Sequence, residues 1–334
     1  MRRLQLTILV LVLGLATTAA AYEDSPTPEP GTAPASREAS VGPIQPFVPP
    51  GIDYPGIVDL GPRFSLYVDH TYEYTDDLST FWWVEGRGTN YRVALGGAYR
   101  FGNLQVHAEV PLQYTQLTIS SLMHQPPVDA DRNKAAFSLG DVITDAAYFL
   151  DLLPVEGMLT HVGLGLRVRW PTHTTKYRFE LQDLSILEFG FPYYLHLAPA
   201  AVLSTSYGPI FLVVNQGALA MLAKDVYLQG ILQRIPNIYF WESHVALGLA
   251  ATDWLAFTVE LLTFVQLNHV DVEQMTNLND TKATFLNLGG TLDLGNYRLA
   301  VAGRLDLAGR SSRDFGVITF SGSRAFLVRL SYLF

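Results

Sequence analysis

Cysteine is absent from the 334 residues. That excludes disulfide scaffolds, thiolate metal sites and cysteine nucleophiles. Charge is scarce as well: Asp, Glu, Lys and Arg make up 16% of the chain, against about 25% in an ordinary soluble domain. Bases are the minority, 22 against 31 acids, for a net charge of −9. A chain with a pI of about 5.3 is a poor nucleic-acid binder, and no such partner is expected. What is abundant is apolar surface, with 49% hydrophobic residues and 12% aromatics. This composition argues against disorder and points towards lipid contact.

Long uninterrupted hydrophobic runs are few. Residues 189–223 contain no Asp, Glu, Lys or Arg and are long enough for a membrane helix. Pro192, Pro199 and Pro209 fall inside the run, and Ser206-Tyr207-Gly208-Pro209 reads as a turn. Two strands joined by a tight turn fit better than a doubly broken helix.

Residues 1–21 combine Arg2 and Arg3, a short apolar core Leu4–Leu15 and an Ala19-Ala20-Ala21 cleavage motif. This pattern predicts a secretory signal peptide rather than an anchor. Residues 22–60 are predicted to be a flexible periplasmic tether. Eight prolines lie between Tyr22 and Gly51, and such a stretch favours extended, solvated backbone.

Beyond residue 60 the hydrophobic period is two. In Leu104–Tyr114 the even positions are Leu, Val, Ala, Val, Leu and Tyr, whereas the odd ones include Gln105, His107, Glu109 and Gln113. Alternation of this kind marks a two-faced strand. Twelve such segments are predicted, at 62–74, 90–101, 103–115, 138–150, 158–171, 191–204, 209–222, 239–251, 254–267, 283–294, 296–307 and 323–334. Most have the length a tilted transmembrane strand needs. Short connections alternate with long ones along the whole series, which is the pattern of an outer-membrane barrel. Residues 61–334 are therefore predicted to form an all-β, antiparallel, up-and-down transmembrane barrel of about twelve strands, in the outer membrane of a Gram-negative cell. A soluble β-sandwich is the competing fold, because alternation alone does not separate core from lipid.

The side of each strand opposite the apolar one is the expected lumen. It carries Arg92, Glu109, Asp141, Asp145, His161, Arg167, Arg169, Glu260, Asp293, Arg298, Arg304 and Arg329, with Asp69, Glu73, Arg100, Asp306 and His244 pointing the same way. Acids and arginines nearly balance, so mutual neutralisation is expected. Pairing Leu150 with Met158 would set Asp141 opposite Arg167, and pairing Leu294 with Tyr297 would set Asp293 opposite Arg298. At the outer mouth, apolar loop residues Phe81, Trp82, Trp83, Leu122 and Met123 are candidates for solute capture, since exposed apolar patches mark contact sites. The sequence holds no HExxH, GxSxG or close-spaced metal cluster, so neither catalysis nor a cofactor is expected.

Three segments carry a family resemblance. Leu139-Gly140-Asp141-Val142-Ile143-Thr144-Asp145-Ala146-Ala147-Tyr148 is similar to a Gly-Asp-containing strand. Gly163-Leu164-Gly165-Leu166-Arg167-Val168-Arg169-Trp170-Pro171-Thr172 is similar to a Gly-rich strand ending in Pro-Thr-Gly, although His173 follows here. Glu109-Val110-Pro111 matches an earlier strand ending in an acid and a proline. Together they resemble the outer-membrane barrels of the meta-pathway phenol-degradation family, which are transporter-like. The resemblance implies passive uptake of small aromatic or hydrophobic solutes. The final strand, with Tyr332 and a terminal Phe334, likewise resembles the signal read by the barrel-assembly machinery. A closed structural or interaction barrel is the alternative function.

Overall fold

A computed structural model of the chain describes residues 64–75, 77–80, 84–122, 132–151, 158–172, 176–180, 186–190, 195–222, 224–228, 231–268, 282–308, 318–321 and 324–334. The proposed signal peptide and tether, along with Phe81, Trp82, Trp83 and Met123, lie outside the described residues.

The elements in chain order are β1 (Phe64–Thr75), β2 (Asp77–Thr80), β3 (Val84–Phe101), β4 (Leu104–Leu122), β5 (Asn133–Leu139), β6 (Val142–Asp151), β7 (Met158–Trp170), β8 (Lys176–Glu180) and β9 (Ile186–Gly190). They continue with β10 (His196–Tyr207), β11 (Ile210–Met221), β12 (Lys224–Leu228), β13 (Ile231–Ile235), β14 (Ile238–Ala250), β15 (Leu255–Gln266), β16 (Lys282–Leu294), β17 (Tyr297–Ala308), β18 (Ile318–Ser321) and β19 (Arg324–Leu333). Thirteen of them form one sheet, in which β1 pairs with β3 on one side and β19 on the other. The β3–β4 ladder closes the sheet into a barrel. Since β5 and β6 both pair with β4, they share one place in the wall, which leaves twelve wall positions. Closure gives every wall strand but β5 a partner on both sides, as hydrocarbon requires of a strand structure, while β5 pairs with β4 alone among the described residues. No helix among the described residues is long and apolar enough to cross a membrane.

The strand boundaries follow the predicted segments closely. The main departure is β3–β4, which runs as a continuous hairpin from Val84 and Leu122 down to Phe101 and Leu104. Three small ribbons also occupy the long connections: β8 with β9, β12 with β13, and β2 with β18. Their few residues are too short for a two-residue period to stand out from a loop. At the other end the tight turns use Gly102, Gly208 and Gly295 at positive φ of 58°, 55° and 79°, a region that suits glycine.

The outer face explains the composition. Its exposed aliphatics include Leu95, Leu164, Leu203, Leu247, Val259 and Leu288. Two aromatic levels bracket them. Phe101, Tyr99, Tyr207, Trp254, Tyr297 and Phe334 lie towards the tight turns, and Tyr72, Tyr91, Tyr114, Trp170, Trp241 and Phe326 towards the long connections. Tyr91 and Tyr99 are separated by roughly 27 Å along the strand, or about 20 Å along the membrane normal at the usual tilt. In the second level the Trp170 Nε1–H donates to Thr144 Oγ1 at 2.9 Å, and the Trp241 Nε1–H to Gln216 Oε1 at 3.1 Å. The indoles thus pair their one polar group while keeping the ring in lipid. An aliphatic band between two aromatic girdles is the surface of an outer-membrane barrel, and the protein belongs in that membrane.

The three resembling segments meet at one irregularity. Between β5 and β6 the alternation slips, so that Ser138 and Asp141 both point inward. The Gly140 N–H donates to the Pro111 carbonyl at 2.8 Å. Thr172 bridges the break: its hydroxyl donates to the Gly140 carbonyl at 2.7 Å and accepts from the Val142 N–H at 2.9 Å. A Cβ on Gly140 would lie 2.9 Å from the Pro111 ring. Gly-Asp, Val-Pro and Pro-Thr are therefore parts of a single structural device. Thr172→Val should strand the buried Val142 N–H and lower stability by about 1–3 kcal/mol. Hydrogen exchange at Val142, with a urea titration in detergent, measures this; unchanged protection would refute the assignment.

Candidate functional site: the inner wall

Inward-facing side chains divide the wall into two arcs. The first is charged and spans β19, β1, β3, β4, β6 and β7. Arg329 holds Asp69 through two hydrogen bonds, from Nε at 2.6 Å and Nη2 at 2.5 Å. Its guanidinium lies over the Tyr67 ring, 4.5 Å from the centroid. The Tyr67 hydroxyl donates to Glu109 Oε2 at 2.8 Å, and the other oxygen of that carboxylate binds Arg92. His107 also touches the phenol oxygen. The other ring nitrogen of His107, Nδ1, lies 2.7 Å from Asp145 Oδ2. Asp145 in turn accepts from Arg167 at 3.0 and 3.2 Å, and Arg169 binds Asp141 at 2.7 Å. Charge-assisted bonds of this kind are the strong ones, and pairing offsets the desolvation of each ion.

Tyr67 can bridge across β3 only because Gly96 lies beneath it. A Cβ on Gly96 would sit 2.1 Å from the phenol Cζ. The same device recurs twice, with Phe149 over Gly163 and Phe211 over Gly248. In each case an inward aromatic lies flat along the wall on a glycine of the next strand. This is the close approach that glycine permits in strands.

The second arc spans β10, β11 and β14 and is mostly apolar, crossed at mid-height by a polar level of Asn215, Glu242 and His244. Ala198, Ala200, Val202, Phe211, Val213, Leu219, Met221, Ile238, Phe240 and Ala246 are all buried there. It is the inner face of the uncharged run 189–223, continued onto β14. Part of it joins Ala147 and Phe149 of β6 in one apolar cluster. Between the arcs lies a polar zone, where Asn287 donates to Glu260 at 3.2 Å and His244 lies 3.5 Å from the same carboxylate. Arg304 reaches across β19 to Glu73.

The predicted residues fall as follows. Arg92, Glu109, Asp145, Arg167, Asp141 and Arg169 join the first arc. Asp69, also expected inward, ties Arg329 to them. Arg298 binds Asp293 at 2.9 Å, in the expected register. Glu260 and Arg304 stand in the polar zone, and His161 is inward on β7, opposite Ser204. One register needs correction. Leu150 pairs with Val162, not Met158, so Arg167 faces Asp145 and Arg169 rather than Arg167 binds Asp141. Leu122 ends β4, its backbone paired with Val84. Tyr332 packs against Phe334 with ring centroids 4.5 Å apart, and Phe334 against Phe64 at 4.7 Å.

Sequence reasoning missed Tyr67 and Glu242. Tyr67 shares the odd parity of Asp69 and Glu73. Glu242 shares that of His244, but apolar Phe240, Ala246 and Gly248 on the same face hid it.

No protein-family model and no curated protein matches the sequence. Solved structures do match in fold. The crystal structure of a COG4313 outer membrane channel from Pseudomonas putida F1 overlays with a TM-score of 0.60 at 12% identity, covering 86% of this chain and 100% of that one. The NanC porin overlays at 0.43 and 9% identity, over 80% of this chain and 100% of that chain. The Pseudomonas putida toluene transporter TodX does so at 0.36 and 9% identity, over 80% and 88%. The first of these shares the closed outer-membrane barrel described above.

Proposed function

We propose that the protein is a passive outer-membrane channel for small solutes of low polarity, aromatic or hydrophobic, within the meta-pathway phenol-degradation family. The observation that carries this reading is the two-faced inner wall. Apolar patches stand around Phe211 and Val202 near the tight turns and around Met221 and Phe240 near the long connections. Opposite them, the arginines and acids are tied to one another. Charges neutralised in the wall offer little to a hydrated ion, whereas the apolar patches above and below the Asn215–Glu242–His244 level suit a ring or chain. The fold of the COG4313 channel agrees with this reading. Phe81, Trp82, Trp83, Leu122 and Met123 are proposed to collect solute at the outer mouth, and the Tyr332–Phe334 end to engage the assembly machinery. No covalent step is assigned to any residue.

The test is refolded protein in planar bilayers and liposomes. Low salt conductance is expected, with faster entry of a neutral aromatic than of a sugar of equal size. Val213→Asp, which sets a charge in the apolar arc, should slow aromatic entry by roughly tenfold. Absence of all flux would favour the second reading, a closed structural or interaction barrel. That alternative draws on the near-complete burial of inward side chains such as Ala246 and Arg304.

A further inference from the structure

Near the tight-turn end, three inward side chains on adjacent strands carry hydrogen-bond donors that nothing among the described residues engages. Among the described residues the Thr258 and Thr291 hydroxyls have no hydrogen-bond partner, and neither does Arg298 Nη1. All three residues are more than nine-tenths buried, at 3%, 5% and 8% exposure. Arg298 is oriented by its other terminal nitrogen, which donates to Asp293.

The strand register sets them side by side. Phe211, Gly248, Thr258, Gly289 and Ala302 form one directly paired row across β11, β14, β15, β16 and β17. In the next row towards the tight turns, Ala256, Thr291 and Ala300 are paired, with Arg298 one inward position further along β17. Inward neighbours on paired strands, direct or diagonal, stand roughly 5–8 Å apart. The intervening side chains are Gly or Ala, so the donors sit in a recess of the wall. At one side of that recess, Phe211 packs against Ala256 and lies flat on Gly248.

Buried donors are normally satisfied, and unsatisfied ones in a native fold call for a reason. Three donors with no acceptor, one of them a guanidinium, fit an oxygen-bearing anion. The flat Phe211 face beside them fits an apolar body. We infer that Thr258, Thr291 and Arg298 form a binding subsite for a small solute with an apolar body and one anionic oxygen group, a carboxylate first of all, with Phe211 and Ala256 holding the body. This rests on the channel reading and deepens it, adding one anionic oxygen group to the aromatic or hydrophobic body that reading proposes. The oxygen group would accept from Arg298 Nη1 and from whichever hydroxyl it reaches, and Asp293 would keep the guanidinium aimed.

The experiment uses the full chain refolded in detergent, with 4-fluorobenzoate and fluorobenzene as probes followed by fluorine NMR. Wild type is expected to bind 4-fluorobenzoate in preference to fluorobenzene. Thr258→Val with Thr291→Val keeps side-chain shape and removes both hydroxyls. It should weaken 4-fluorobenzoate binding by roughly tenfold and leave fluorobenzene unchanged. Arg298→Lys, which retains a cation for Asp293 without the guanidinium fork, should weaken it similarly. If the hydroxyls were only unpaired core groups, the double valine variant would gain stability and bind as wild type does; that result overturns the subsite. Liposome flux is measured on the same preparations. Binding without flux would sink the channel and spare the subsite, whereas flux that every variant leaves unchanged, with unchanged binding, would do the reverse.

Discussion

Gly248→Ala should fail to assemble, or should assemble into a barrel that loses its resistance to heat in detergent. A Cβ at this position would stand 1.6 Å from Phe211 Cζ and 1.8 Å from Cε1. No small adjustment removes such an overlap; the ring would have to leave its place against Ala256. Overpacking typically costs about 1–3 kcal/mol, and the upper end applies because a ring, not a flexible tip, must move. Phe211→Ala combined with Gly248→Ala should recover assembly, since the methyl then enters the vacated space. Gly303→Ala is the control. It lies on the outer face with nothing within 4 Å of its Cβ, so it should be neutral or slightly stabilising. Heat modifiability on gels and a urea titration in micelles report all three. Full stability of Gly248→Ala would mean that the flat-ring device does not hold.

Arg304→Met should be comparably severe. The Arg304 side chain is 0% exposed and binds Glu73, itself 6% exposed. It also lies over the Phe285 ring, 5.4 Å from the centroid. Removing the guanidinium leaves a buried carboxylate without that cation, which costs about 3–5 kcal/mol. Glu73→Gln in the same chain should restore most of the loss, because a neutral pair no longer needs the charge. The non-additivity of the two changes, measured as a double-mutant cycle, is the quantity to read. If Arg304→Met alone cost under about 1 kcal/mol, the pair would behave like a surface salt bridge, and the inner wall would have to be wet at that level.

The strand plan was legible because lipid and lumen impose opposite demands on successive residues. Leu164, Leu166 and Val168 alternate with Gly165, Arg167 and Arg169 for that reason, and no packing information is needed to see it. The β6–β7 register was not legible. A slip by an even number of residues keeps every facing, so alternation allows both Asp141 and Asp145 opposite Arg167. The observed register satisfies two ion pairs, Asp145 with Arg167 and Asp141 with Arg169, where the expected one satisfied a single pair. Tyr67 escaped for a related reason. Its role depends on Gly96 one strand away and Glu109 two strands away, and neither is near it in the chain.

Taken alone, the order of residues decided the class of the molecule, its strand count and which side of each strand meets hydrocarbon, since these follow from a two-residue period and from composition. Only the closed barrel decided which inner side chains meet. That depends on register and on which glycines lie beneath which rings, and both are set by contacts between strands far apart in sequence. The division of the wall into a charged and an apolar arc belongs to this second kind. So does the recess formed by Thr258, Thr291 and Arg298, because its residues become neighbours only when β15, β16 and β17 pair.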